Sequence, residues 1–153
     1  MPKFEPPFAI KPLQQVSPGQ PVVFQGVLAF ACVNRSAPAA IVTLAAYDAQ
    51  RGQFVYRYFD GVQPNVVVPT GEIIIRPNLS TLTENVPVQP ATTKLFFADE
   101  PLIVVQLPSV PDVRLLSLKD GALVTARSYQ MDAFESWEIG VVSLGQFVSL
   151  LKV

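Results

Sequence analysis

The stretch that decides the fold is residues 41–59, IVTLAAYDAQRGQFVYRYF. Two runs rich in β-branched and aromatic residues, Ile41–Tyr47 and Gln53–Phe59, flank the segment Asp48-Ala49-Gln50-Arg51-Gly52. Loop residues that end in glycine suit a hairpin connection between antiparallel strands. We therefore predict a β-hairpin here, and it is the clearest strand pair in the chain.

Short apolar runs separated by turn residues recur outside this hairpin. Val22–Val33 predicts one long strand, with Phe24, Leu28, Phe30 and Cys32 on one face. Strands spaced in this way are typical of an all-β fold, so we predict an antiparallel sandwich or barrel. Leu144, Phe147, Val148 and Leu151 have helical spacing, so a short C-terminal helix competes with the last strand. The remaining predicted strands are Val66–Val68, Glu72–Arg76, Lys94–Ala98, Leu102–Leu107, Val113–Leu118, Ala122–Tyr129, Phe134–Val142 and Gln146–Val153.

The first 21 residues are rich in proline. They hold six of the fifteen prolines, which fix φ and extend the residues before them. We predict an extended N-terminal arm over residues 1–21, followed by a single β domain over residues 22–153. The apolar residues Phe4, Phe8, Ile10 and Leu13 lie among the prolines, so the arm packs either on its own domain or on a neighbouring subunit.

Pro77–Thr93 is the longest polar interval. A loop of this length is uncommon in a compact domain unless it is functional or mobile. Its threonines and valines also suit an extended excursion toward a partner, so we expect partner contacts here as well as in the arm.

The composition is apolar and poor in charge. Hydrophobic residues make up 50% of the chain and charged residues 15%, against about 25% charged in an average soluble protein. No apolar run approaches the ~20 residues of a spanning helix, so we expect no membrane insertion. Contacts between subunits that cover apolar surface explain the composition better than membrane insertion does, so we predict a homo-oligomer. The eleven lysines and arginines are scattered, which argues against a nucleic-acid groove.

Residues for catalysis are scarce. The chain has no histidine, which excludes Ser-His-Asp and Cys-His arrangements. Cys32 is the single cysteine, and we interpret it as a small buried thiol. Glu135 and Glu138 lie on opposite faces of the predicted strand and form no local catalytic pair. We predict that the protein is not an enzyme and binds no cofactor or metal ion.

Aromatic residues offer a second interpretation. Phe54, Tyr56 and Tyr58 share a strand face and could stack on bases or sugars, although core or interface packing is the simpler role. Together with Trp137, the two tyrosines suggest a carbohydrate-binding β-module as an alternative function.

The chain resembles the small all-β decoration proteins, also called auxiliary or cement proteins, of tailed-phage capsids. The resemblance rests on the arm Pro2-Lys3-Phe4-Glu5-Pro6-Pro7-Phe8, the strand pattern, the low charge and the absence of a catalytic, metal-binding or nucleotide-binding motif. It implies a trimer that binds the major capsid protein, or a similar lattice protein, and reinforces the outer shell of the virion. A tail or fibre component is an alternative, and without a signal peptide the location outside a virion would be cytoplasmic. The expected partner contacts are Phe4, Pro6, Pro7, Phe8, Ile10, Leu13, Asn78, Thr81, Thr83, Val86 and Val88.

Overall fold

The computed structural model describes residues 8–33, 42–59, 63–107, 113–125 and 130–153. These residues form fifteen strands and two short 3-10 helices, so the predicted all-β class is confirmed. The helices are η1 (Leu13–Gln15) and η2 (Leu79–Thr81). The strands are β1 (Phe8–Pro12), β2 (Pro21–Phe24), β3 (Val27–Val33), β4 (Val42–Asp48), β5 (Gln53–Arg57), β6 (Asn65–Pro69), β7 (Glu72–Pro77), β8 (Leu82–Pro87), β9 (Leu95–Phe97), β10 (Pro101–Gln106), β11 (Val113–Ser117), β12 (Leu123–Thr125), β13 (Gln130–Phe134), β14 (Trp137–Ser143) and β15 (Gln146–Lys152).

The described strands form two sheets. The large sheet has the order β1-β6-β2-β3-β4-β5-β10-β9-β13-β8, with β11 on β10 and β12 on β11, and the small sheet has the order β15-β14-β7. β5 and β10 run parallel, with Phe54 opposite Val105. The large sheet is therefore mixed, and the prediction of a purely antiparallel fold was wrong at this pair. A hairpin fixes antiparallel direction only for strands close in sequence, and β5 and β10 are distant.

The predicted long strand Val22–Val33 is wrong, because the structure has a hairpin there. Gln25 and Gly26 form its two-residue turn, with φ of 51° and 76°, the left-handed conformation that type I′ hairpin turns require. Val22 consequently lies opposite Ala29. Phe24 leaves the predicted face and packs edge-on against Phe59, with ring centroids 5.3 Å apart.

The predicted hairpin at residues 41–59 is present as β4 and β5, with Asp48 opposite Gln53. The Asp48 carboxylate accepts hydrogen bonds from the backbone N–H groups of Gln50 and Arg51, at 3.0 and 3.2 Å. The Gly52 N–H donates to the Asp48 carbonyl at 2.9 Å. The turn chemistry read from the sequence thus fixes the register of this pair.

Two other predicted strands differ from the structure. The segment Phe134–Val142 is broken at Glu135 and Ser136, so that β13 joins the large sheet and β14 joins the small one. Residues 146–152 form β15 rather than a helix, with Gln146 opposite Ser143. Antiparallel pairing with β14 overrides the helical spacing of the apolar residues in this segment.

The central strands are buried on both faces. Phe30 and Cys32 of β3 contribute to the main core cluster, together with Phe54 and Trp137. Ala31 faces a second cluster that includes Leu13 and Leu44. Small residues on the second face allow the segment before β2 to pack closely on the sheet.

The described part of the proline-rich segment belongs to the same domain. Phe8 lies opposite Pro69 in the β1–β6 pair. Leu13 is fully buried in the second core cluster, and the Leu13 N–H donates to the Pro64 carbonyl at 2.9 Å. From residue 8 onward, therefore, the segment packs on its own chain, whereas residues 1–7 lie outside the described residues.

Candidate protein-binding cleft

An apolar cleft opens where the small sheet meets the large one. Its volume is about 350 Å³. One wall is the end of β7, and the other is built by β9, β10 and β13. The lining residues are Ile75, Pro77, Leu95, Phe97, Pro101 and Phe134.

Strand pairing brings the second wall together. Phe134 of β13 lies opposite both Leu82 of β8 and Leu95 of β9. Phe97 lies one pleat further along β9, opposite Pro101 of β10. Because side chains alternate between the faces of a strand, these five residues share one face of the large sheet.

The apolar side chains at the cleft differ in how much of their surface is exposed. Leu95 is 1% exposed and belongs to the main core, whereas Phe97 is 50% exposed and Leu82 is 48% exposed. A half-exposed phenylalanine beside an open cavity is an apolar surface that a partner could cover. We call Leu82, Phe97, Pro101 and Phe134, with the cavity beside them, the Phe97 cleft.

Polar groups lie beside the cleft. Asp132, opposite Phe97 on β13, accepts a hydrogen bond from the Asn85 N–H at 3.3 Å. Lys94 and Glu135 form an ion pair at 3.8 Å next to Leu95 and Phe134 in the sequence. An apolar centre with polar groups around it is the usual arrangement of a protein-binding surface.

The aromatic residues predicted to form a stacking platform are mostly core residues. Phe54 is fully buried, and Tyr56 packs against the main core. Trp137 is 1% exposed and its indole N–H donates to the Thr93 carbonyl at 2.7 Å. The indole therefore presents no open face to a sugar, and Tyr58 is the exposed member of the group, at 58%.

Cys32 is the buried thiol that the sequence predicts. Burial raises its pKa from 9.0 to about 11, and a hydrogen bond with the Thr43 hydroxyl, at 3.3 Å, opposes this shift. The thiolate form that reacts with electrophiles or metal ions is therefore disfavoured at neutral pH.

The described residues contain no group of three or more His, Cys, Asp or Glu side chains that could hold a metal ion. Glu135 lies in the turn after β13 and Glu138 lies within β14, so they are not on one continuous strand. None of the helices in the described ranges is long and apolar enough to cross a membrane.

The predicted contacts of the N-terminal segment have different environments. Phe8 is half-buried, Ile10 is 74% exposed and Leu13 is fully buried. Ile10 can therefore meet a partner, whereas Leu13 serves the core. Phe4, Pro6 and Pro7 lie outside the described residues.

The predicted contacts at residues 78–88 lie in or next to η2 and β8, the last strand in the order of the large sheet. Asn78 caps η2, with its side-chain oxygen accepting the Ser80 N–H at 3.2 Å. The Thr81 hydroxyl donates to the Asn78 carbonyl at 2.7 Å, and Thr83 is exposed. Val86 is buried and Val88 is partly buried, both against the third core cluster. These two valines hold β8 in place and are not open contacts.

Sequence reasoning missed the Phe97 cleft. Leu82, Phe97 and Phe134 are far apart in the chain, and they meet only because β13 inserts between β8 and β9. Their strands are short or end at irregular turns, so no local pattern indicates their shared face. Comparison with known proteins finds no matching family, no similar curated protein and no similar solved structure.

Proposed function

We propose that this chain is a structural assembly protein that binds an outer protein lattice and reinforces it, in the manner of a tailed-phage capsid decoration protein. The observation that carries the proposal is the Phe97 cleft, where half-exposed Phe97 lines an apolar cavity and half-exposed Leu82 lies opposite Phe134, another residue of the cavity wall. Exposed apolar surface with a polar surround usually marks a protein-binding site. The role requires binding alone and involves no chemical step.

The mechanism is mass action. A protein that binds the assembled lattice but not its separated subunits shifts the equilibrium toward the lattice. In this proposal the major capsid protein, or a similar lattice protein, inserts an apolar side chain beside Phe97. Aromatic side chains at the centre of an interface commonly contribute a large share of its binding energy.

Self-association, as the trimer implied by the resemblance, belongs to the same proposal. The apolar composition supports it, and so do further exposed apolar side chains away from the cleft, among them Ile10 at 74% and Leu79 at 76%. Because several copies on one lattice bind together, even weak individual contacts would give firm attachment.

The test is co-sedimentation of the purified chain with shells assembled from the major capsid protein of the virus that encodes it. Wild-type chain should pellet with the shells. Phe97→Asp and Leu82→Asp should each weaken attachment by about tenfold or more, since each places a charge on an apolar contact.

Val124→Asp is the matched control, because Val124 is also about half-exposed, at 49%, but lies on β12. It should pellet like wild type. Absence of wild-type chain from the pellet would overturn the lattice role. Equal attachment of wild type and Phe97→Asp, with both folded by circular dichroism, would overturn the role of the cleft.

A further inference from the structure

Among the described residues, no strand covers the outer edge of β7. Within that part of the chain β7 pairs with β14 alone, in a regular antiparallel register from Glu72 to Pro77. Ile75 and Pro77 line the cavity of the Phe97 cleft, and Ile73 and Ile75 line a second cavity of about 440 Å³ against residues 17–21 and 118–119. An open, apolar and regular edge is one that another strand can join.

Backbone hydrogen bonds show which groups of β7 point outward. Trp137 of β14 exchanges backbone hydrogen bonds with Val153, at 3.1 and 2.9 Å, and so faces away from β7. The Asn78 N–H, just beyond β7, donates to the Ser136 carbonyl at 2.9 Å. Because backbone groups alternate along an antiparallel ladder, Glu72, Ile74 and Arg76 bond to β14. The N–H and C=O groups of Ile73 and Ile75 therefore point outward.

The sequence of β7 is complementary to itself. In an antiparallel pair centred on Ile74, Ile73 of one copy lies opposite Ile75 of the second copy, and Glu72 lies opposite Arg76. The outward backbone groups of Ile73 and Ile75 thus meet as hydrogen-bonded pairs. The same register places each acidic end opposite a basic end, which stabilises cross-strand pairs.

Side-chain positions agree with this register. Ile73 and Ile75 pack against the main core of their own chain. Alternation places Glu72, Ile74 and Arg76 on the opposite face, where the Arg76 guanidinium lies 3.7 Å from the centre of the Phe147 ring. Glu72 is exposed and forms no ion pair with a described residue.

We propose that β7 pairs with β7 of a second copy of this chain across a two-fold axis at Ile74, joining two small sheets into one continuous sheet. The contact is isologous, so it joins copies in pairs and would link two of the proposed trimers into a hexamer. Any particle that contains the contact in every chain therefore has an even number of chains. Lattice binding through the Phe97 cleft does not require this contact, and the inference therefore goes beyond the proposed function.

The test is a charge exchange within β7, read by sedimentation of the full chain. Wild type should give an even-numbered particle. Glu72→Arg and Arg76→Glu should each place like charges opposite one another twice in the pair, weakening association by about tenfold or more and halving the particle mass. The double variant Glu72→Arg/Arg76→Glu restores opposite charges in the same register and should recover the wild-type mass.

The double variant still lacks the contact between Arg76 and Phe147. A return to the wild-type particle mass therefore cannot be explained by restoring that contact within one chain. Ile74→Lys places two like charges at the axis without removing a core side chain, and it should also halve the mass. Val124→Lys is the exposed control and should leave the mass unchanged.

Three results would overturn the proposal: an odd-numbered wild-type particle, single variants of wild-type mass, or a double variant that stays dissociated. A monomer whose Ile73 and Ile75 amides resist hydrogen exchange would also overturn it, because the edge would then be covered within one chain. Each of these results leaves the co-sedimentation test of lattice binding unaffected.

Discussion

Trp137 is the largest fully buried side chain among the described residues, and it joins the small sheet to the main core. Its ring centroid lies 6.3 Å from that of Phe54 on the large sheet. Its indole N–H also anchors the segment before β9 through the Thr93 carbonyl. An aromatic residue that looked suited to ligand binding in the sequence is thus a structural link between the two sheets.

Trp137→Phe should destabilise the fold by about 2–3 kcal/mol. The variant loses the hydrogen bond, leaves the Thr93 carbonyl without that donor and opens a cavity between the sheets. Urea denaturation followed by circular dichroism measures the change. Tyr58→Phe, at an exposed position, should change stability by less than about 0.5 kcal/mol, and an equal loss in both variants would contradict the role of Trp137.

Cys32 makes stability depend on alkaline pH. Its pKa is 9.0 when unperturbed and about 11 in the folded chain. Between these values the unfolded thiol loses its proton while the folded one keeps it, so ionisation favours the unfolded state. Stability should be nearly unaffected below pH 9 and should fall by about 2 kcal/mol as the pH rises to 11.

The comparison of wild type with Cys32→Ala separates this effect from the titration of lysines and tyrosines. The difference between the two free energies of unfolding should stay constant below pH 9 and change above it. A difference that stays constant up to pH 11 would show that the folded thiol ionises normally.

At the scale of elements, the β14–β15 hairpin depends on Gly140. A Cβ atom at this position would lie 2.4 Å from the Phe147 ring and 2.4 Å from the Val148 carbonyl oxygen. Gly140→Ala should therefore cost about 2 kcal/mol or more in thermal or urea unfolding. Ser143→Ala on the same strand should have little effect. A neutral Gly140→Ala would mean that both the Phe147 ring and the Val148 carbonyl can move aside.

A substitution in the turn of the β14–β15 hairpin should raise the stability of the fold. Leu144 is 88% exposed and has a φ of 52°, and Gly145 follows with a φ of 74°. Asparagine tolerates this conformation better than leucine, and Asn-Gly is the preferred pair for such a turn. Leu144→Asn should stabilise the fold by about 0.5–1 kcal/mol, measured as a higher Tm. A lower Tm would indicate that Leu144 makes a stabilising contact of its own.

The sequence predicts local elements better than their arrangement. The 41–59 hairpin and the strands at 66–68 and 72–76 appear nearly as expected, because apolar alternation and turn residues are local signals. The break at Gln25-Gly26 was missed because continuous apolar residues on both sides resemble one buried strand. The parallel β5–β10 pair and the insertion of β13 between β8 and β9 depend on contacts between distant segments, which no local pattern encodes.

The same limit applies to the candidate site. The polar composition of Pro77–Thr93 predicted partner contacts in that interval. Thr83 is exposed there and Asn78 caps η2, but Val86 is a core residue. Phe97 and Phe134 were not identified, because their shared face exists only after the sheet has formed. Burial of Leu13 also limits deletion experiments, since removing residues 1–16 would remove a core side chain, whereas removing residues 1–7 leaves β1 complete.

At the scale of the whole molecule, the apolar composition is divided between a core and exposed positions. Both faces of the central strands are buried, which uses many of the apolar residues. Phe97, Leu82, Ile10 and Leu144 remain exposed at the surface. We propose that the Phe97 cleft binds a lattice protein and that the β7 edge binds a second copy; neither contact involves a chemical step.

Contact between the Phe97 cleft and the lattice can be measured by hydrogen exchange of the shell-bound chain, compared with the free chain. We expect slower exchange at residues 82–87 and 95–97 in the bound state, with residues 8–12 of β1 unchanged. Unchanged exchange at 82–87 and 95–97, with new protection elsewhere in the bound chain, would contradict it.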